Sequence, residues 1–493
     1  MYLTLSTFSD LFYVTMKTPL IGRKEEQAIL HTALQSYEAE MVAVFGRRRV
    51  GKTFLVQTVY QDHLVFEVTG IQNGTRGKQL KYFTEQLEAF VQPAFPIKMP
   101  DDWQEAFKLL RDYLKDRIGQ STSKLVVFFD EVPWLAGKKS GFLEAFGYFW
   151  NSWASRQPLV VVICGSAASW MISKVIKDRG GLHNRITRRV FLEPFTLAET
   201  EAYLQSRNVL LDRYQTVQLY MAMGGVPHYL KEIMPGDSTV QSIDKVCFSK
   251  KGLLSNEFDQ LYSSLFAHAD NHVAVVRALA QSRQGMTRSQ LSEFGKLSNG
   301  GGLTKVLEEL TQSGFVAEYF PFGKKKKEKL YRLIDEYSLF YLQFIEQNRY
   351  QGSNPWHHLS QTPAYKTWAG YAFESLCLKH LEQIKQALGI SGIFVQASSY
   401  YKKGTAREEG AQIDLVLDRN DHTINLFEIK FYNQPFAMTK EYADQLRHKM
   451  WVFQGNTKTK KQVNWVFVTT FGMTPNQHSI GLVVRSLSKD DLF

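Results

Sequence analysis

Short, almost uninterrupted runs of apolar residues recur through the first two hundred positions of the chain. They fall at residues 41–45, 64–68, 125–129, 159–164 and 190–195. Runs of this length, rich in Val, Leu and Phe, are typical of strands buried in a parallel sheet. Between them, residues 78–90 and 102–119 have the apolar spacing of helices. The pattern predicts an α/β fold built on a parallel sheet.

The first of these runs leads directly into a glycine-rich loop. Residues 46–53 read Gly-x-x-x-x-Gly-Lys-Thr, and a helix with apolar positions follows. This strand–loop–helix order is typical of a P-loop, whose backbone N–H groups bind the phosphates of ATP. Lys52 is expected to reach the β- and γ-phosphates, and Thr53 to bind Mg²⁺. The predicted nucleotide-binding residues are Gly46, Arg47, Arg48, Arg49, Val50, Gly51, Lys52, Thr53 and Phe54.

The apolar run at residues 125–129 ends in two carboxylates, Asp130 and Glu131. An apolar strand that ends in this way, downstream of a P-loop, is the Walker B pattern. Asp130 is expected to hold Mg²⁺, and Glu131 to polarise the attacking water. The following run ends in a small polar residue, Ser166, which could sense the γ-phosphate from a neighbouring strand.

The basic segment 173–189 offers an arginine finger, a cation that stabilises charge in the transition state. Arg185 is the first choice. The alternative is a basic loop on a solvated face. The predicted ATPase core spans residues 17–195, and a helical lid spans residues 196–268, opened by a capping box of Thr196 and Glu199.

Residues 269–345 are predicted to form three helices and a two-stranded hairpin, which is the order of a winged helix. The hairpin tip carries four lysines, Lys324–Lys327, which would contact DNA phosphates without reading sequence. The alternative is a solvated lysine turn, and winged helices also dock proteins. The start of the recognition helix, residues 298–305, is only weakly basic.

The last module, residues 360–493, contains Glu374 on a helix and then Asp414, thirteen residues and Glu428-Ile429-Lys430. Asp414 and Val416 are predicted on one strand face, with Ile413, Leu415 and Leu417 on the other. The spacing resembles the PD-(D/E)xK nuclease superfamily. That resemblance implies Mg²⁺ ligands at Glu374, Asp414 and Glu428, with Lys430 orienting the water. Glu408-Glu409 leaves the choice of acids open, and an inactive, ion-paired strand is the alternative.

Composition limits the classes of protein further. The chain has 493 residues, a net charge of +11 and a pI near 9.2, which favours a polyanionic partner such as DNA, although solubility alone is an alternative. Its three cysteines show no zinc-binding spacing, and their scarcity fits a reducing cytoplasm. No signal peptide or membrane helix is expected. A homo-oligomer is a further expectation.

The order of the motifs resembles the archaeal-type ATPases, a family of AAA+/STAND P-loop NTPases. The resemblance covers about residues 17–235 and includes Ile21-Gly22-Arg23, the P-loop, the Walker B strand, Cys164-Gly165-Ser166 and Gly224-Gly225-Val226-Pro227. Cys164 is a mild departure from the usual small residue. The resemblance implies ATP and Mg²⁺ as cofactors, a lid whose angle follows the nucleotide state, and often a C-terminal nuclease-like domain.

Together these features predict a P-loop NTPase sheet with a helical lid, then a winged helix, then a restriction-endonuclease-like α/β domain. The expected activity is ATP hydrolysis coupled to DNA binding and metal-dependent cleavage. The alternative is a signalling or regulatory ATPase whose C-terminal domain is catalytically inactive and binds a partner.

Overall fold

The protein is described by a computed structural model. It covers residues 19–177, 180–182, 184–266, 268–294, 300–324, 328–349, 355–404 and 409–493. Arg179, Ser298-Asn299, Lys325–Lys327 and Glu408, which belong to predicted features, lie outside the described residues.

The first module is a five-stranded parallel sheet with strand order β2-β3-β4-β1-β5. Its elements in chain order are α1 Lys24–Gln35, β1 Glu40–Phe45, α2 Lys52–Tyr60, β2 Leu64–Thr69, α3 Arg76–Val91, α4 Trp103–Gly119, β3 Leu125–Asp130, α5 Val132–Leu135, α6 Phe142–Ser152, β4 Leu159–Gly165, α7 Ala168–Met171 and β5 Arg188–Phe191. All five predicted strands are present, so the predicted parallel α/β sheet is confirmed.

Helices cover both faces of this sheet. As a result, every residue of β1, β3 and β4 is buried. On one face an aromatic cluster packs against β3, with Trp103 and Phe142 in edge-to-face contact at 4.9 Å between ring centres. Helices α5 and α6 were not predicted. Residues 142–153 are apolar on most sides, and such a segment shows little helical periodicity.

The lid follows as α8 Leu197–Ser206, α9 Arg213–Met223, α10 Pro227–Leu230, α11 Thr239–Ile243 and α12 Glu257–Leu265. The predicted capping box forms. Thr196 Oγ1 accepts from Glu199 N at 3.2 Å, and Glu199 Oε2 accepts from Thr196 N at 3.0 Å. One buried cluster extends from Phe195 to Trp356. The predicted boundary at residue 268 therefore lies within a continuous core.

The middle module contains three helices and an antiparallel hairpin, the predicted element order. These elements are α13 Ala269–Ala280, α14 Arg288–Phe294, α15 Gly301–Gln312, β6 Val316–Tyr319 and β7 Leu330–Leu333. Helices α16 Glu336–Phe340 and α17 Glu346–Asn348 then lead to the last module. The assignment of this module as a winged helix stays a prediction.

The C-terminal module has a mixed five-stranded sheet with strand order β14-β12-β10-β9-β8. Its elements are α18 Pro355–Leu359, α19 Pro363–Lys379, α20 Leu381–Ala387, β8 Val395–Lys402, β9 Ala411–Arg419, β10 Thr423–Lys430, β11 Phe436–Ala437, α21 Lys440–Thr457, β12 Gln462–Thr469, β13 Met473–Thr474 and β14 Val483–Leu487. Separate apolar cores lie on the two faces of this sheet.

The predicted alternation along β9 is wrong. Ile413 packs on the same side as Val416, whereas Leu415 packs on the opposite side. The reason is a β-bulge, because Tyr400 pairs with Ile413 and Ser398 pairs with Val416. Two residues of β9, Asp414 and Leu415, therefore lie opposite one residue of β8. The bulge thus breaks the period of two at Asp414.

The modules pack closely against one another. The backbone N–H of Leu197 in the lid donates to His380 Nε2 of the C-terminal module at 3.0 Å. At the hairpin, Phe322 N donates to Ser399 O at 2.7 Å, and its ring centre lies 5.0 Å from that of Phe453. Within the described ranges, no helix is long and apolar enough to cross a membrane.

Candidate functional site

The loop between β1 and α2 has the backbone of a phosphate-binding loop. Gly46, Arg49 and Gly51 have positive φ angles of 149°, 71° and 92°. A Cβ atom on Gly46 would lie 2.2 Å from the carbonyl oxygen of Leu192, so this position accepts only glycine. The loop thus passes close to the residue after β5 and turns into the N-terminus of α2, where backbone N–H groups are free to bind anions.

The side chain of Lys52 lies over this loop. Its Nζ donates to the carbonyl oxygens of Gly46 at 3.1 Å and Arg47 at 2.8 Å. The side chain is buried, and these two acceptors are neutral. A phosphate group would be a stronger, charged acceptor for the same ammonium group. The arrangement therefore fits the predicted contact between Lys52 and the phosphates of a nucleotide.

Thr53 and Asp130 meet although 77 positions separate them in sequence. Thr53 Oγ1 donates to Asp130 Oδ2 at 2.7 Å, and Asp130 Oδ1 accepts from the backbone N–H of Glu131 at 2.9 Å. A hydroxyl and a carboxylate oxygen at this position are the donor set that Mg²⁺ takes in P-loop proteins. The residues present therefore fit the predicted ion.

Glu131 is held by the neighbouring strand. Its Oε2 accepts from Ser166 N at 3.1 Å and from Ser166 Oγ at 2.9 Å, and its backbone is left-handed at φ 47°. Burial raises the pKa of Glu131, and the nearby ammonium of Lys52 opposes that rise. Ser166 was predicted at the end of its strand, but its hydrogen bonds to Glu131 were not.

The three arginines of the loop point away from one another into other parts of the protein. Arg47 is buried, forms an ion pair with Asp335 at the start of α16, and lies 4.8 Å from the ring centre of Phe315. Arg49 pairs with Glu257 of α12 at 2.7 Å. The predicted contacts of Arg47 and Arg49 with nucleotide stay predictions.

The other predicted nucleotide-binding residues differ in their environments. Arg48 stacks on Trp134, with 5.6 Å between the guanidinium carbon and the ring centre. The side chain of Val50 is buried in the core between the sheet and its helices. Phe54 is 40% exposed on the first turn of α2. Their contacts with nucleotide stay predictions.

Arg185 lies far from this loop within the same chain. It is exposed, just before β5, and Thr187 N donates to Met41 O near the start of β1. The P-loop begins at Gly46, five residues further along β1, a separation of roughly 16 Å along the strand. Arg185 therefore does not join Lys52 and Asp130 in this chain. The role of Arg185 as the arginine finger stays a prediction.

The N-terminal turn connects this site to the lid. Arg23 N donates to Glu199 Oε1 at 2.7 Å, and its guanidinium lies 4.5 Å from the ring centre of Phe195. Glu199 is the same residue that closes the capping box of α8. A change in the angle of the lid would therefore move Glu199 and alter its hydrogen bond with the Ile21-Gly22-Arg23 turn.

Comparison with known proteins agrees with this geometry. Residues 20–233 match the family described as an ATPase domain predominantly from Archaea. The chain therefore carries an archaeal-type ATPase domain with a P-loop fold, as predicted, over somewhat less than half of its length.

Relatives extend the similarity along more of the chain. The uncharacterized protein MJECL04 of Methanocaldococcus jannaschii is 22% identical over 418 residues, covering 83% of this chain and 87% of its own length. The Walker-type ATPase PABY2304 of Pyrococcus abyssi superposes with a TM-score of 0.50 at 19% identity, covering 66% of this chain and 96% of its own. This likeness supports the fold. The ORC2 protein of Aeropyrum pernix is more distant, with a TM-score of 0.39 at 14% identity over 66% of this chain and 94% of its own.

A second cluster of charged residues lies in the C-terminal module. Glu374, Asp414, Glu428 and Lys430 line one cavity of about 840 Å³. Helix α19 and strands β9 and β10 supply these residues. The fold thus brings together four residues that span 57 positions of sequence, as the nuclease-like hypothesis requires.

Within this cluster Glu428 is fully engaged. It accepts from Lys430 Nζ at 2.8 Å, Lys449 Nζ at 2.9 Å and Tyr442 Oη at 2.6 Å. Burial alone would raise the pKa of Glu428, but the two ammonium groups outweigh burial and lower it. Asp414 behaves in the opposite way, because burial and the charges of Glu428 and Glu374 raise its pKa to about 7.

Glu374 is also engaged, by a residue of another module. Its Oε1 accepts from Arg332 of β7 at 2.7 Å. Among the described residues, no three His, Cys, Asp or Glu side chains are grouped closely enough to hold a metal ion. The predicted Mg²⁺ ligands therefore share a cavity but do not form a ligand set in this conformation.

Sequence reasoning missed three partners of these acids. Tyr442 and Lys449 are seven residues apart on α21, so they share a helix face, and this spacing could have indicated them. Arg332 carries no such signal, because its contact joins two modules.

At the hairpin tip, Lys324 pairs with Glu328 at 3.1 Å and remains half-exposed. The DNA contacts predicted for Lys324–Lys327 stay a prediction.

Proposed function

We propose that this chain is an ATP-hydrolysing switch whose ATPase core controls a DNA-binding middle module and a metal-dependent, nuclease-like C-terminal module. The observation that carries the ATPase part is the hydrogen bond of 2.7 Å between Thr53 and Asp130, with Lys52 and Glu131 beside it. The P-loop thus lies beside the two carboxylates that we propose bind Mg²⁺ and polarise the attacking water, Asp130 and Glu131.

The roles of the residues follow from their present contacts. Loop N–H groups and Lys52 would bind the phosphates of ATP, with Lys52 leaving the two carbonyl oxygens that it now contacts. Thr53 and Asp130 would hold Mg²⁺, which would neutralise charge on the phosphates. Glu131 would accept a hydrogen bond from the attacking water once it leaves Ser166. Arg185 of a neighbouring copy remains the proposed finger, which implies a homo-oligomer.

The proposed partner is DNA. The chain has a net charge of +11, and the sequence between β6 and β7 contains four consecutive lysines, Lys324–Lys327. Glu374, Asp414, Glu428 and Lys430 line one cavity in the order of a PD-(D/E)xK site. A cytoplasmic location suits such a partner and the three unpaired, buried cysteines.

The first test is ATP turnover by the full chain, with Glu131→Gln as the variant. Hydrolysis should fall on the order of a hundredfold or more, because a carboxylate that orients water is lost. Binding of a fluorescent ATP analogue should be retained. Glu144→Gln, which changes an exposed acid on α6, is the matched control. Turnover that is unaffected by Glu131→Gln would contradict the assignment.

A second function is favoured by one observation. Both Glu374 and Glu428 are occupied by basic side chains in this conformation. A regulatory ATPase whose C-terminal module only binds a partner would need no metal there. The discriminating assay incubates linear, supercoiled and single-stranded DNA with Mg²⁺ or Mn²⁺, with and without ATP. DNA that stays intact in every condition would favour the regulatory function.

A further inference from the structure

Three charged residues at the junction of β7 and α16 form ion pairs with two other parts of the protein, the P-loop and α19. We call residues 332–336 the β7–α16 corner. Arg332 pairs with Glu374, Asp335 pairs with Arg47 of the P-loop, and Glu336 pairs with Lys379 of α19. This short segment therefore contacts both the nucleotide site and the carboxylate cluster.

Arg332 holds Glu374 firmly. Its NH1 donates to Glu374 Oε1 at 2.7 Å, and its NH2 donates to Ser375 Oγ at 2.9 Å. The side chains of Arg332 and Glu374 are only 11% and 13% exposed. Water screens such a pair weakly, and removing one partner leaves the other charge uncompensated.

Glu374 and Glu428 differ in which module supplies the basic side chain that binds each of them. The groups that bind Glu428, namely Lys430, Lys449 and Tyr442, belong to the C-terminal module itself. Arg332 comes from the middle module. Movement of the β7–α16 corner would therefore release Glu374 without disturbing Glu428. A cavity of about 380 Å³, lined by Arg332, Arg47 and Asp414 among others, adjoins the corner and leaves room for such a movement.

We propose that Arg332 is a positioning residue that keeps the carboxylate cluster from binding a divalent cation, by holding Glu374 apart from Asp414 and Glu428. Release of the Arg332–Glu374 ion pair completes the cation site. This inference rests on the proposed metal-dependent function of the C-terminal module, and it explains why three acids share a cavity without forming a ligand set.

The test uses the full chain, free of nucleotide, and Mn²⁺ alone as the probe. Free Mn²⁺ is measured by electron paramagnetic resonance during titration of wild type, Arg332→Gln and Arg332→Met. Both variants should bind Mn²⁺ about tenfold tighter than wild type, the order of effect expected for groups that contact metal ligands. A purely structural loss would not raise affinity.

Two further variants make the result specific. In the double variant Arg332→Gln with Glu374→Gln the gain should disappear, because the released ligand is gone. Arg283→Gln is the matched control. Arg283 also crosses from the middle module to α19, where it stacks on Tyr371 at 3.9 Å, but it contacts no acid of the cluster. Its Mn²⁺ affinity should equal that of wild type. Circular dichroism identifies any variant that fails to fold, and Arg332→Met substitutes for Arg332→Gln in that case.

The outcomes separate this inference from the proposed function. Tighter Mn²⁺ binding without cleavage of DNA would support the role of Arg332 and remove the nuclease activity. Cleavage by wild type with no gain in the Arg332 variants would overturn the role of Arg332 alone. A gain that persists in the double variant would also overturn it. Absence of Mn²⁺ binding in every folded variant would overturn both the role of Arg332 and the metal site.

Discussion

The nucleotide site and the carboxylate cluster are both built from charged residues at the ends of strands, yet they differ in state. At the P-loop, Lys52 rests on neutral carbonyl oxygens, which a charged phosphate can replace. In the cluster, Glu374 and Glu428 are already paired with Arg332, Lys430 and Lys449. A ligand can enter the first site by exchanging weak contacts, whereas a cation entering the second must break ion pairs.

Residues in the right order do not by themselves make a site ready to bind. The P-loop is short, and its backbone geometry is local to residues 46–53. The cluster depends on α19, β9, β10 and α21, and on an arginine from the middle module. Its state therefore follows the packing of modules, which a nucleotide bound at the P-loop could alter through Asp335.

The largest expected effect is that of Lys52→Ala, which tests the ready state of the first site. Loss of the ammonium group removes the positive charge that would contact the β- and γ-phosphates, so ATP turnover should fall on the order of a hundredfold or more. Phosphate release and binding of a fluorescent nucleotide measure the effect. Lys81→Ala, an exposed change on α3, is the control. Unchanged nucleotide binding by Lys52→Ala would contradict the statement that Lys52 binds the phosphates at this site.

Asp414→Asn tests the second site alone. If the cluster cuts DNA, this change should abolish nicking in Mg²⁺ or Mn²⁺ and leave ATP turnover within about twofold, because the two sites share no ligands. Asp444→Asn on the exposed side of α21 is the matched control. Loss of both activities together would instead indicate misfolding, and nicking that survives would exclude Asp414 from the chemistry.

Ser166→Ala is expected to have the smallest effect and tests how Glu131 is held. Burial raises the pKa of Glu131, and the hydrogen bonds from Ser166 oppose that rise. Losing the hydroxyl should raise the pKa further, so that Glu131 becomes protonated at higher pH. The acid limb of the kcat/KM profile for ATP, which reports the free enzyme, should therefore move to higher pH.

The profile of Ser169→Ala provides the comparison, since Ser169 lies three residues further along, on α7. An acid limb that moves to lower pH, or not at all, in Ser166→Ala would contradict the described hydrogen bonds. Thermal unfolding should show a loss of about 1 kcal/mol for the missing hydrogen bond.

Much of the fold was determined by the sequence itself. Apolar runs of five or six residues mark all five strands of the first sheet. Three of these strands, β1, β3 and β4, are buried on both faces, and such strands admit few polar residues. The glycines of residues 46–51 and the pair Thr196 and Glu199 specify local backbone geometry, so the P-loop and the capping box were both predictable. Patterns of this kind depend only on residues that are close in sequence, so they can be recognised without knowledge of the whole fold.

Tertiary structure decided the rest. The bulge at Asp414 arises from pairing with β8, so the period of two along β9 could not reveal it. The sequence predicts Arg185 beside the nucleotide, whereas the parallel register places it at the amino ends of β1 and β5, away from the P-loop at the carboxyl end of β1. The pairing of Arg332 with Glu374 joins residues 42 positions apart in different modules. Contacts between modules depend on how complete surfaces pack, and no local pattern in the sequence records that packing.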